Sequence, residues 1–336
     1  MAIPVGIDIG RSATKFASSA GVGLIPACIA RGTIRRVLPA KGVTSRSVAV
    51  RIDDVDWLIG EDATMGTNFV WQFDEQKGGL KSRLSIIAVL GLLGINEAEI
   101  VVGLPTSLAE NKKARETAKQ AFCGEWRATV NGREMFFKIN AQIVAEPLGS
   151  YFKLVLDEQA QPLVSSPYYR SELAIVDIGL KTLDVATIRN GGLGEAKGSS
   201  LSGGTLTVFE KAWKLLEQNH GVMLKANDRV KVYEAVTSNF GTKFTRINGE
   251  NISPGFWTEV NNLKRQLAFD IVDEVRGILG NTSPDFICVT GGGALFLREE
   301  LSAAEKSWRI LDDGLHSNAV GFYRAAQASV VAGARG

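Results

Sequence analysis

The sequence predicts an α/β protein made of two similar halves that face each other across a cleft. Apolar, strand-like runs alternate with helical patterns along the chain. The length, 336 residues, suits roughly two domains at about 100–200 residues each. One device also occurs twice at half-chain separation: an apolar strand, then Asp-Ile-Gly, a polar turn and a second strand.

The first copy is Ile7-Asp8-Ile9-Gly10-Arg11-Ser12-Ala13-Thr14-Lys15, which follows the apolar run Ile3 to Ile7. The Asp stands where the strand ends, and Gly10 opens the turn. Glycine lets the backbone approach a ligand closely, so the turn's N–H groups are able to face a phosphate. A carboxylate repels phosphate but holds magnesium, usually through water. A plain strand–turn hairpin explains a single copy equally well. The second copy, Ala174 to Asp184 with Asp177-Ile178-Gly179-Leu180-Lys181-Thr182, makes coincidence harder to sustain. Each half would then supply one phosphate hairpin to a nucleotide held between them.

Composition narrows the class. The 38 Lys and Arg nearly cancel the 36 Asp and Glu, which argues against a broad nucleic-acid-binding face. A hydrophobic share of 45% with 22% charged residues describes a folded, soluble chain. Cys28, Cys123 and Cys288 are scattered, no CxxC occurs, and only His220 and His316 could join them. Structural zinc is therefore not expected, and a reduced, cytoplasmic compartment is. The N-terminus does not read as a signal peptide. The longest apolar run, Ile86 to Leu93, is too short to span a bilayer, so no membrane partner is expected.

After the first hairpin, Val48 to Ile52 and Val55 to Ile59 read as short strands around Asp53-Asp54, with a turn at Gly60-Glu61-Asp62-Ala63. This stretch looks like a small subdomain, at about 30–75, inserted in the first half. The locally basic runs Arg31 to Arg36 and Lys41 to Arg51 read as solvated surface, or as a contact surface for another subunit. Lys81 to Leu93 carries a helical apolar face, Ile100 to Leu104 is a central strand, and Asn111 to Phe122 is an amphipathic helix. Asn131-Gly132 predicts a type I′ turn between strands Arg127 to Val130 and Met135 to Ile139.

Glu146 then stands alone among apolar residues, just before Pro147. Pro at the first turn starts a helix, and a carboxylate there is favourable in its own right. The other reading aims the carboxylate into the cleft, where it would position a water on a terminal phosphate. Asp157 to Ser171 is a loop and the boundary between halves.

In the second half, Ser199 to Thr205 is a Ser/Gly loop before a helix from about Leu206 to Asn219. Asn227 or Asp228 caps a helix through Val236, and Phe240 to Ser253 is a polar loop with strand character. Phe256 to Leu279 is a long helix closed by Gly280. Phe286 to Thr290 is a buried strand that ends in Gly291-Gly292-Gly293, bare backbone suited to a flat nucleoside. Asn318 to Ala332 is an Ala- and Val-rich helix that crosses back to the first half.

Taken in order, these features resemble the actin, heat-shock chaperone and sugar-kinase ATPase superfamily, and within it the ParM/StbA branch of prokaryotic actin-like proteins. The second Asp-Ile-Gly motif, the stretch from Val130 to Glu146-Pro147, and Asn318-Ala319-Val320-Gly321-Phe322-Tyr323 carry the resemblance, which covers nearly the whole chain. P-loop ATPases do not fit, because no GxxxxGK[ST] occurs. Leu180 and Lys181 depart from the small residues common in the superfamily.

The resemblance implies an actin-like ATPase fold: two ribonuclease-H-like α/β domains, residues 1–165 and 166–317, with a second subdomain at about 205–270 and a closing helix at 318–336 packed on the first domain. It implies ATP (or GTP) with Mg2+, held through water by Asp8 and Asp177. Gly10 to Lys15 and Gly179 to Thr182 would line the phosphates and Gly291 to Gly293 the nucleoside, with Glu146 and Asp177 catalytic. It implies head-to-tail filaments that assemble on ATP and disassemble after hydrolysis, an adaptor protein on centromere-like plasmid DNA, and plasmid segregation. A chromosomal or archaeal cytoskeletal filament, or a small-molecule kinase of the same superfamily, stays open. A chaperone does not fit, since that branch carries a long C-terminal peptide-binding domain.

Overall fold

The computed structural model describes residues 2–32, 47–66, 69–71, 79–189, 192–199, 204–221, 223–237, 246–247 and 250–333. Residues 33–36 and 41–46 of the basic runs, 200–203 of the Ser/Gly loop, 240–245 of the polar loop and the final residues 334–336 lie outside the described residues.

The first half opens with a three-strand meander, β1 (Ile3–Ile9), β2 (Ala13–Ser18) and β3 (Gly21–Pro26). There follow β4 (Cys28–Arg31), β5 (Ser47–Ile52), β6 (Val55–Gly60), a 3-10 turn at Glu61–Met65 and β7 (Val70–Trp71). Then come α1 (Leu80–Leu93), β8 (Glu97–Leu104), α2 (Thr106–Glu110), α3 (Lys112–Phe122), β9 (Gly124–Val130), β10 (Arg133–Ala145) and α4 (Glu146–Val155). One sheet runs β3-β2-β1-β8-β10-β9-β5-β6-β4-β7. Strand β10 is 13 residues long and serves two regions: its end pairs parallel with β8, and its start pairs antiparallel with β9. Asn131 and Gly132 both have positive φ, 50° and 81°, as a type I′ turn requires. The Asn131 side chain also accepts from Ala49 N at 3.0 Å, tying the turn to β5. Helix α1 differs from the one-faced helix expected: it is buried all round from Leu84 to Leu90, because β1, β5, β6, β9 and α3 all contact it.

The second half contains β11 (Leu173–Ile178), β12 (Leu183–Arg189), β13 (Gly192–Ser199), α5 (Leu206–His220), α6 (Ala226–Thr237), β14 (Arg246–Ile247) and β15 (Glu250–Asn251). It continues through α7 (Pro254–Leu279), β16 (Phe286–Thr290), α8 (Gly292–Phe296), α9 (Arg298–Ala304) and β17 (Arg309–Ile310). Its sheet runs β13-β12-β11-β16-β17. The plan repeats that of β3-β2-β1-β8-β10: an antiparallel meander on one side, and on the other two strands parallel to the first. The central strands β1, β8, β11 and β16 are buried over most of their length, as parallel strands covered on both faces must be.

Each half has its own apolar core. Two helices join them. On α4, Tyr151 and Val155 pack with Leu173, Ile175, Ile188 and Cys288 of the second sheet. The closing helix α10 (Ser317–Gly333) packs on α4 and, through Phe322 and Ala326, on Val101 of β8. The α4–α10 crossing is backbone against backbone. A Cβ on Gly149 would lie 2.7 Å from Asn318 O, and one on Gly321 would run into the Gly149 carbonyl. The two glycines are what let the helices meet at this separation.

Candidate nucleotide cleft

The two Asp-Ile-Gly turns are built alike. In the first, Gly10 N donates to Ala13 O at 3.1 Å; in the second, Gly179 N donates to Thr182 O at 2.9 Å. Each closes a short hairpin that brings its Asp to the end of a central strand. Opposite Asp8 on the ladder stands Lys15, and opposite Asp177 stands Asp184. Strand β16 ends beside Asp177, with Thr290 as the register partner of that Asp. The chain then turns at Gly291 with φ 92°, where a Cβ would fall onto Asp177 Oδ1. Strands β8 and β10 end just before Pro105 and Glu146, which line the same gap from the first half's side.

These strand ends line one cavity of about 1350 Å³. Asp8, Gly10, Arg11, Ser12, Ala13 and Lys15 line it from the first hairpin and Glu146 from the start of α4. Asp177, Gly179, Leu180, Lys181 and Thr182 line it from the second hairpin, and Gly291, Gly292 and Gly293 from the end of β16. Of the residues expected at the site, Thr14 is buried within β2 and does not line the cavity. Leu180, the bulky departure in the second hairpin, also belongs to the second half's core. Its carbonyl accepts from Leu206 N at 2.7 Å.

The electrostatics are uneven. Lys15 Nζ lies 3.2 Å from Asp8 Oδ2, and both are buried. Burial alone would lower the Lys15 ammonium, but the Asp8 and Asp177 carboxylates outweigh it and hold it above its usual range. Asp177 is pushed up to about 6, first by burial and then by Asp8, with Asp184 adding to the rise. Hydrogen bonding from Asn318 and the charge of Lys15 pull the other way. The Asp184 carboxylate accepts from Thr106 N at 2.8 Å, a buried hydrogen bond between the two halves. Burial pushes the cavity-lining Cys28 thiol up to about 12, which leaves it inert as a nucleophile.

Sequence reasoning missed several residues here. Asp184 closes the second motif but received no role. Asn318, Ser150 and Thr290 carried no local signal of a place beside Asp177. Tyr233, from α6, lines the cavity together with Ser12 of the first hairpin. Phe209 and Phe296, whose ring centroids are 5.2 Å apart, add apolar lining to the cavity, and only the pattern of core residues on α5 and α8 could have hinted at them.

The residues present fit a magnesium nucleotide. Among the described residues no group of three or more His, Cys, Asp or Glu is placed to hold a metal by itself. Two carboxylates flanked by hairpin amides and one buried ammonium suit a cation that keeps its waters and takes its other ligands from phosphate.

Comparison with known proteins bears on the fold. The family profile for the N-terminal domain of actin-like proteins matches residues 6–149. The profile for the C-terminal domain of the archaeal MreB-like actin homologue matches residues 175–303. The chain is an actin-like protein. Solved structures agree with this actin-like fold along nearly its whole length. The archaeal actin homologue Ta0583 is 18% identical, with 97% of this chain and 99% of that chain covered and a TM-score of 0.75. A ParM from a 15-stranded filament of Clostridium botulinum is 17% identical, with 98% and 100% covered and a TM-score of 0.76. Ta0583 in complex with ADP is 18% identical, with 98% and 100% covered and a TM-score of 0.72. No curated protein matches the chain in sequence. Among the described residues, no helix is long and apolar enough to cross a membrane.

Proposed function

We propose that this actin-like protein is a cytoplasmic ATPase that assembles into head-to-tail filaments on binding ATP, disassembles after hydrolysis, and drives plasmid DNA segregation through an adaptor on centromere-like DNA. Residues 1–165 with the closing helix form one jaw and residues 166–317 the other. One observation carries the reading: Asp8 and Asp177, from opposite halves of the chain, line a single cavity together with Glu146 and the triple glycine. The ADP complex of Ta0583 and the filament of ParM lend it support by likeness of fold.

In this reading the chain's own groups divide the work. Amides of the two hairpins and the Lys15 ammonium hold the phosphates. Asp8 and Asp177 would hold magnesium, through water. Bound magnesium would supply charge neutralisation at the phosphates. Glu146, fixed by the first turn of α4, orients the attacking water. Gly291 to Gly293 lie against the nucleoside, with the Phe209 and Phe296 rings adding apolar lining. Head-to-tail contacts do not close on themselves and so extend into fibres. The nucleotide biases the angle between the halves, and with it the stability of the filament.

ATP-triggered sedimentation with light scattering tests this, with wild type and Glu146→Ala side by side. The variant is expected to assemble, to release phosphate about 100-fold more slowly, and to disassemble slowly. Equal phosphate release from the two proteins would remove Glu146 from its role. The same assay with GTP in place of ATP decides the base.

A further inference from the structure

Asn318 lies in the first turn of α10 and is 5% exposed. Its Nδ2 donates to Asp177 Oδ2 at 2.6 Å. Its Oδ1 accepts from Ser150 N at 3.1 Å and from Ser150 Oγ at 2.7 Å. Ser150 Oγ also hydrogen-bonds Thr290 Oγ1 at 2.9 Å, and Thr290 stands beside Asp177 in the sheet register. All four side chains are buried. Ser150 is one turn beyond Glu146 on α4, so a single amide links the helix of Glu146, in the first half, to the carboxylate of Asp177, in the second.

A buried amide whose donor and acceptor ends are both engaged has one orientation, because a flip would set its NH2 against the Ser150 N–H and its oxygen against the carboxylate. The backbone contact between Gly149 and Gly321 leaves α10 little room to shift this amide independently of α4. Asp177 is therefore held from the α4–α10 crossing, and a change in the angle between the halves must either move that carboxylate or break the bridge.

We propose that Asn318 is a positioning residue of the nucleotide site, which orients the Asp177 carboxylate and makes its placement depend on the angle between the halves. This rests on the reading of the cavity as a nucleotide site, so the test has one arm without nucleotide.

In that arm, Asn318→Asp keeps the acceptor for Ser150 but sets a second carboxylate against Asp177. It is expected to lower the melting temperature of the free protein by about 5 °C. Combining it with Asp177→Asn restores a donor facing an acceptor and is expected to recover at least half the loss beyond whatever Asp177→Asn gains alone. Absence of rescue would overturn the bridge. In the second arm, Asn318→Ala and the milder Ser150→Ala are assayed with ATP and magnesium. We expect kcat to fall about tenfold for Asn318→Ala, and by a smaller factor for Ser150→Ala, with KM within about threefold of wild type. Unchanged kcat in both variants would overturn the positioning role even if the exchanged pair is rescued. A wild-type protein that turns over no nucleotide would sink the reading of the cavity, and the melting arm would still decide the bridge.

Discussion

Asp184 stands directly opposite Asp177 across the β11–β12 ladder, in the place that Lys15 occupies opposite Asp8 in the first hairpin. The two hairpins share a backbone plan but differ in charge. The first is internally neutralised by the Lys15–Asp8 pair. The second sets two buried carboxylates face to face, and like charges directly across a ladder repel. Thr106 N–H, donated from the other half, offsets part of that repulsion. The second hairpin's carboxylate pair has no lysine at the ladder position that Lys15 fills in the first.

The first prediction concerns Asp184. Asp184→Asn keeps an oxygen for Thr106 N–H and removes the charge, so the Asp177 carboxyl should titrate below about 6, the value it holds beside Asp184. Carboxyl-carbon NMR titration of the free protein reads this directly, and an unchanged Asp177 titration would rule out the coupling. Asp184→Ala also leaves the Thr106 amide buried without its acceptor and should cost about 1–3 kcal/mol in denaturant unfolding.

The second concerns pH. The Asp177 carboxyl is raised from 3.8 to about 6 in the folded protein. Between those values the folded chain holds a proton that the unfolded chain has released. Its contribution to stability is fully present below the unfolded value and is lost as pH rises through about 6. Melts of the free protein without divalent cations should therefore show an Asp177-dependent fall in stability between about pH 4 and pH 6. Asp177→Asn should flatten that fall and be more stable than wild type at neutral pH. A variant less stable than wild type at neutral pH would show that the ionised carboxylate is compensated.

The third concerns the α4–α10 crossing. Gly321→Ala places a methyl group against the Gly149 carbonyl and the Lys153 amide, where neither helix has a flexible side chain to yield. A loss of about 2 kcal/mol or more in unfolding free energy is expected. Gly277→Ala, on a helix where a Cβ meets nothing within 4 Å, should be neutral or stabilising by up to about 1 kcal/mol. Equal effects from the two would show that the crossing is looser than its geometry.

Much of the fold was legible because the signals were local. The run from Val5 to Ile9 followed by Gly10, the Asn131-Gly132 turn, the Glu146-Pro147 helix start and the three glycines after Thr290 each act through their own backbone. Neighbouring residues decide such features, and a single sequence displays neighbours. The doubled Asp-Ile-Gly hairpin then implied the two-sheet plan.

What the tertiary structure alone decided is which distant groups meet. Asn318 lies 141 residues beyond Asp177 and Thr106 lies 78 before Asp184. An Asn at a helix start reads as a cap, and a Ser inside α4 reads as filler. Leu180 reads as bulk beside phosphates, yet it also fills a core. The all-round burial of α1 was equally hidden, since a helix enclosed by neighbours loses the one-sided pattern that a sequence shows. Hydrophobic periodicity determines the elements because each must bury a face. Polar contacts between elements depend on how the faces are brought together, and here that depends on two glycines, Gly149 and Gly321, whose missing side chains let α10 reach the cleft.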